Sequence, residues 1–356
     1  MFFPFNNLIS LSLTIFIVNQ TAGRPKLTQA EAAWVNQTCG EFRRVRYQTK
    51  LFKVYGGARA HVAQWVHSAI ILVGPTPLDP KTPSRCTASI ISKRHVLTAA
   101  HCFKLNCTST LILPNQTAVG VGRASLTEMK RKGTIFPVNL IAQMKYLQSL
   151  CLILMLTVAL FYLSQVSSIT MHQDFLKRHC CDLKGDIAIV ELAHDIPDRL
   201  FEKKFVVAGC LPRHYGNPKP GQILFVTGWG KTFEDKLGRR MQDGLKYTTM
   251  TVMPLDDCRK NYNRNKRYKS VDATSLCVDE RLSNVCRGDS GASLVHVQPH
   301  NKKMLRSELV GVLSFGTSCE EMAKSPLTFQ NFHGGVFTKL ESYLDWIRDH
   351  TGLITR

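Results

Sequence analysis

Cys286-Arg287-Gly288-Asp289-Ser290-Gly291-Ala292-Ser293-Leu294 sets a serine between an acid and a glycine, behind a second glycine and a cysteine. Gly, Asp and Ser are common turn residues, so the stretch alone also reads as a plain turn. Two other stretches change its meaning. One is Leu97-Thr98-Ala99-Ala100-His101-Cys102, the other Gly185-Asp186-Ile187-Ala188-Ile189-Val190. His, Asp and Ser then occur in a chain order known for one kind of nucleophile triad.

The chemistry requires these residue types. A serine hydroxyl is a weak nucleophile and needs a base within hydrogen-bond reach and a third group to orient that base. Histidine titrates near neutrality, and a carboxylate holds its tautomer and stabilises the imidazolium. Ser290 is thus the candidate nucleophile, His101 the base and Asp186 its orienting acid. The backbone N–H groups of Gly288 and Ser290 are candidates for an oxyanion hole, since glycine lets the backbone approach closely. Singly, His101 also reads as a core histidine and Asp186 as a turn acid before a buried strand. Read together, and with cysteines beside them, the catalytic reading prevails.

The chain has 356 residues and 12 cysteines, which suits an oxidising compartment, and it is long enough for one large domain or two moderate ones. Its formal charge of +20 favours acidic partners, such as sulfated glycans or acidic proteins. No nucleic-acid reader motif accompanies that charge. The His and Cys residues do not fall at zinc spacings, so no metal and no cofactor are expected.

In chain order, residues 1–23 read as a signal peptide, with a mostly apolar run from Leu8 to Val18 followed by small residues. Residues 24–53 are polar and basic and end at Lys53, before Val54-Tyr55-Gly56-Gly57. They read as a pro-segment followed by a new N-terminus at Val54. Short strands without a helical period fill most of the remainder, including Trp65–Val73, Thr87–Thr98, Thr108–Val121, Phe205–Cys210 and Gly221–Gly230. The stretch 146–170 has no charged residue and reads as an atypical apolar insertion, too short in its apolar centre to span a membrane. Arg259 to Lys269 is a basic cluster with Tyr262 and Tyr268, read as a solvated face or an acidic-partner patch. Glu341 to His350 reads as a short amphipathic helix, and 351–356 as a tail. Asn36, Asn106 and Asn115 each open an Asn-x-Thr sequon, as does Asn19 inside the signal.

These motifs together resemble the chymotrypsin/trypsin family of secreted serine endopeptidases, over about residues 54–350. Gly228-Trp229-Gly230, Ser314-Phe315-Gly316 and Gly335-Val336-Phe337 extend the likeness. The resemblance implies an all-β fold: two packed six-stranded antiparallel β-barrels with a C-terminal helix and the catalytic cleft between them. It implies a zymogen cut at Lys53 by an activating protease, with the freed amine of Val54 paired to Asp289. It also implies the disulfides Cys39–Cys210, Cys86–Cys102, Cys258–Cys277 and Cys286–Cys319, the first tethering the pro-segment after cleavage. A further pair of many relatives is missing, with Leu224 and His296 at its positions, and Cys107, Cys151, Cys180 and Cys181 have no assignment. Protein or peptide substrates, protease inhibitors and a monomeric, extracellular enzyme follow from the same likeness.

The resemblance assigns the substrate pocket to Asn284, Val285, Ser314, Phe315, Gly316 and Gly335. Asn284 stands where trypsin-like members carry an acid, so an uncharged, fairly large substrate side chain is expected rather than strictly Arg or Lys. Glu320 to His333 is a long stretch that offers Glu320 or Glu321 to the pocket. Ala292-Ser293 and Thr87-Ala88 add Cβ atoms near the catalytic floor where the family has Gly-Pro and Gly-Gly. They keep open a second reading, a weak or inactive homologue that binds partners through its basic surface.

Overall fold

A computed structural model of the chain describes residues 24–43, 58–60, 64–74, 84–104, 111–132, 134–136, 166–177, 182–212, 218–231, 243–264, 271–281, 283–301, 303–317, 319 and 333–353. The strands in order are β1 (Glu41–Arg43), β2 (Ala58–Arg59), β3 (Ser68–Val73), β4 (Ser84–Ile90), β5 (His95–Thr98), β6 (Thr117–Gly120), β7 (Ile135–Phe136) and β8 (Val166–Met171). They continue with β9 (Ala188–Leu192), β10 (Ile223–Gly228), β11 (Lys246–Val252), β12 (Ser275–Asp279), β13 (Ser293–Pro299), β14 (Met304–Phe315) and β15 (Gly335–Lys339).

The expected all-β architecture is present. The C-terminal sheet runs β14-β13-β10-β11-β12-β15 and closes into a six-stranded barrel, because β15 also pairs with β14. The N-terminal sheet runs β7-β6-β3-β4-β5-β9-β8. It holds seven strands, and among the described residues its edges β7 and β8 do not pair with each other. β3 shows why such strands read as continuous apolar runs. Its Ala69, Ile71 and Val73 face the N-terminal core, while Ile70 and Leu72 face the core shared with the other barrel. Alternate residues point to opposite faces, and here both faces are covered.

Two expectations are corrected and one is made specific. The apolar stretch 146–170 overlaps the N-terminal sheet: Val166–Met171 is β8, paired with β9 from Val166↔Leu192 to Met171↔Ala188. The last five residues of the stretch belong to a strand of that sheet, and 146–165 lie outside the described residues. Phe205–Cys210 is extended but forms no ladder. The amide of Val207 donates to Val66, that of Gly209 to Ile90, and the Ala208 carbonyl accepts from Gly40, so the segment crosses between elements. The basic cluster from Arg259 starts on a helix, Leu255–Arg264, and its charged side is the expected solvated face. Cys258 and Tyr262 lie one turn apart and are buried, while Arg259 and Lys260 pair outward with Asp256 and Asp257 at 2.8 and 3.8 Å. Lys266, Arg267, Tyr268 and Lys269 lie outside the described residues.

The C-terminal helix is Leu344–Thr351, preceded by a 3₁₀ turn at Leu340–Tyr343, with Ile347 buried. No helix among the described residues is long and apolar enough to cross a membrane. Asn115 is exposed on a 3₁₀ turn, whereas Asn36 is half-buried on a helix; Asn106 lies outside the described residues.

That helix, Gln29–Thr38, starts with a capping box of Thr28 and Glu31. Its segment is tied to the body at several points. Cys39 pairs with Cys210, and β1 extends the edge of β14. Arg24 bonds Asp195 at 2.9 Å, and the Leu27 amide donates to the Thr351 carbonyl at 2.9 Å. Gly40 makes the corner at φ +70°, and an added Cβ would lie 2.3 Å from the Ser307 carbonyl oxygen. Gly40→Ala combines a left-handed backbone with that collision, so it is expected to lower unfolding stability by more than about 1 kcal/mol, read from urea denaturation.

Candidate active site

His101, Asp186 and Ser290 are brought to one place by different elements. His101 sits in a 3₁₀ turn directly after β5, and Asp186 follows a tight turn before β9. Gly185 makes that turn at φ +68°, pressed against His172 and Asp174. Ser290 comes from the other barrel, in the loop before β13. Asp186 is fully buried. Its Oδ2 meets His101 Nδ1 at 2.7 Å and accepts from Ser314 Oγ, and its Oδ1 accepts from the His101 backbone N–H at 2.8 Å. Thr338 Oγ1 donates to the Asp186 carbonyl at 3.0 Å. The carboxylate thus fixes the imidazole through Nδ1 and leaves Nε2 for chemistry.

Burial pulls the His101 pKa down, but the charge and hydrogen bond of Asp186 outweigh it, leaving it above the ordinary 6.5. The backbone of Ser290 abuts the same corner: its carbonyl accepts from the Thr87 amide at 2.8 Å. No hydrogen bond joins Ser290 Oγ to His101 among the described residues. Such bonds commonly close only when substrate is bound.

The loop around Ser290 has the shape that an anion site needs. Gly288 has φ +104°, and the amides of Gly288 and Ser290 donate to no acceptor among the described residues. Asp289 turns inward. Its carboxylate accepts from the amides of Gly230 and Cys286, each at 2.8 Å. A Cβ on Gly228 or Gly230 would collide with it, at 1.9 and 2.4 Å. Burial pushes the Asp289 pKa up to about 6, against the pull of those two amides.

The added side chains at the floor are accommodated. Ala292 lies in the C-terminal barrel core, and Ser293 Oγ accepts from Ser89 Oγ at 2.8 Å. Thr87 Oγ1 donates to the Gly288 carbonyl at 3.1 Å, so its side chain braces the loop. The four disulfides implied by resemblance, Cys39–Cys210, Cys86–Cys102, Cys258–Cys277 and Cys286–Cys319, are all present. Lys53, Val54, Glu320, Glu321, Cys107, Cys151, Cys180 and Cys181 lie outside the described residues.

The residues assigned to the pocket have the following surroundings. Asn284 is fully buried, with Nδ2 donating to the Thr317 carbonyl at 3.1 Å and Oδ1 accepting from the Val285 amide at 2.7 Å. Val285 turns its side chain into the barrel core, and Phe315 packs edge-on against Tyr262 at 5.3 Å. Gly316 and Gly335 instead flank a residue the sequence reading missed, Glu280. Its Oε1 lies 2.3 Å from where a Gly316 Cβ would be and 3.1 Å from that of Gly335. Glu280 is fully buried, with Oε2 accepting from the Thr317 amide at 3.0 Å and Oε1 unpartnered. Burial pushes its pKa up to about 8, opposed by the Thr317 hydrogen bond.

A family model described as Trypsin matches residues 55–150 and 162–347, passing over 151–161 in the apolar stretch. Urokinase-type plasminogen activator of Gallus gallus is 26% identical over 317 residues, which covers 87% of this chain and 59% of that protein. The chain therefore spans about three fifths of the length of that relative.

The buried acid has a consequence for stability. A carboxyl whose folded pKa is raised binds its proton more tightly folded than unfolded. Between the ordinary 4.5 and about 8, Glu280 therefore costs stability progressively as pH rises. Glu280→Gln is expected to lose this contribution, narrowing the gap in melting temperature between pH 5 and pH 8 by a few degrees in calorimetry.

Proposed function

The chain belongs to the trypsin family of serine proteases, and from that premise we propose that it is a secreted serine endopeptidase made as a zymogen. The observation that carries the reading is the Asp186–His101 pair, closed at 2.7 Å beside the loop of Ser290 and the two unengaged amides of Gly288 and Ser290. His101 takes the proton of Ser290 Oγ as the oxygen attacks the substrate carbonyl. The two amides stabilise the resulting oxyanion. His101 then protonates the leaving amine as the acyl-enzyme forms, and a water admitted afterwards is activated in the same way for deacylation. Asp186, bonded from both barrels, keeps the imidazole oriented throughout.

Activation by a cut between Lys53 and Val54 gives Asp289 a partner. A buried carboxylate without a cation is costly, and a buried ammonium equally so; together they are tolerated. The reach supports this. Arg59 and Gly228 flank Lys246 on opposite sides, two strand spacings or about 10 Å apart, and Gly228 abuts Asp289. Val54 is four residues before Ala58, a reach of about 14 Å when extended. The 12 cysteines, the four disulfides and the likeness to a plasminogen activator support an extracellular setting. Protein substrates, protease inhibitors and a separate activating protease are its expected partners. Ala292 packs in the barrel core and Ser293 bonds Ser89, so neither added side chain displaces a group of the triad.

The test is fluorophosphonate labelling of the secreted chain before and after cleavage ahead of Val54. The adduct should form on Ser290 in the cut chain, with Asp289→Asn slowing it at least about tenfold. His101→Ala should lower peptide hydrolysis by about 10⁴ or more. A folded, cut chain that takes no label sinks the reading.

A further inference from the structure

The substrate slot that the family resemblance sets between Gly316 and Gly335 adjoins the catalytic corner. Ser314, two residues before Gly316, bonds Asp186, and Asn284 lies six residues before Ser290. The polar group in this slot is the carboxylate of Glu280. It is anchored by one oxygen only, on the Thr317 amide, while Oε1 is buried without a partner. Among the described residues no cation pairs with it. Its neighbour Asp279 is already neutralised by an ion pair with Arg281. Asn284 is committed elsewhere: its Nδ2 donates to the Thr317 carbonyl and to Cys319 Sγ, and its Oδ1 accepts from the Val285 amide.

We propose that Glu280, rather than Asn284, is the specificity-determining residue of the slot, and that it selects substrates with lysine or arginine before the scissile bond. This rests on the hydrolase reading above. A cationic side chain supplies the missing donor to Oε1 and forms a charge-assisted bond away from water. An aromatic or aliphatic one seals Oε1 in without a partner, the kind of loss by which sites built around a polar group reject analogues that lack its complement. The glycines at 316 and 335 are required for this, because a Cβ at either position would press on the carboxylate. The inference reverses the uncharged preference expected from Asn284.

Two measurements on the secreted chain cut before Val54 test it, in wild type, Glu280→Gln and Glu280→Asp. The first is binding of p-aminobenzamidine, a small amidinium whose fluorescence reports capture without turnover. Wild type and Glu280→Asp should bind it, and Glu280→Gln should bind at least about tenfold more weakly. The second is kcat/KM, per fluorophosphonate-labelled Ser290, on peptides differing only at the residue before the cut. Wild type should favour Arg or Lys over Phe or Leu by at least about tenfold, and Glu280→Gln should lose that advantage. An undiminished basic preference in Glu280→Gln overturns the proposal, as does a wild type that favours uncharged residues. So does a Glu280→Gln that gains Phe or Leu cleavage while keeping Arg, since Glu280 is then a plug. A wild type that takes no label overturns the hydrolase reading instead, and the amidinium titration still decides the role of Glu280.

Discussion

A carboxylate with no exposed surface sits where the two barrels meet. The carboxylate of Asp186 is held by His101 from the N-terminal barrel and by Ser314 from the C-terminal one, where Thr338 also holds the Asp186 backbone carbonyl. A buried charge is tolerated only when its lone pairs are used. Here the partners come from both sides of the seam, so sliding one barrel against the other would strip the charge of its bonds. The contact that orients the imidazole is therefore the same contact that registers the barrels. Ser68 with Thr227 and Ser89 with Ser293 add neutral hydroxyl bonds across the same seam.

The nucleophile loop depends on the seam in turn. Thr87 lies on β4 of the N-terminal barrel, yet its amide holds the Ser290 carbonyl and its hydroxyl holds that of Gly288. Gly291 fits close beneath, where a Cβ would strike Thr98 Oγ1 at 2.0 Å. With the Gly288 and Ser290 carbonyls, on either side of Asp289, both tied to the opposite barrel, the backbone that carries the Ser290 N–H is held at both ends. Pre-orientation of this kind is what makes backbone donors effective toward a developing anion.

What was legible in the sequence follows from range. His101, Asp186 and Ser290 each carry their own local context, a turn or strand end with small residues, so their motifs could be read one at a time. The four disulfides followed from resemblance. Glu280 carried no such mark: Asp279-Glu280-Arg281 reads as a solvated turn, and its burial depends on residues 316, 317 and 335, which only folding brings near. The helix Leu255–Arg264 escaped because its buried face is just Cys258 and Tyr262 amid charged residues. Phe205–Cys210 looked like a strand because alternation cannot distinguish a ladder from a chain that bonds a different neighbour at each step. The apolar stretch was read as a unit because absence of charge does not mark where β8 begins.

The segment from Arg24 to Arg43 is bound by a covalent bridge, a strand pairing, an ion pair and a backbone bond to the C-terminal helix. A chain break anywhere between Arg43 and Ala58 leaves all of these in place. Attachments that act together raise the effective concentration of each other's ends, so loss of any one of them is followed by re-formation rather than escape. If the chain is cut there, the segment would stay as a light chain: the molecule would migrate as two polypeptides after reduction and denaturation, and travel as one particle at all other times.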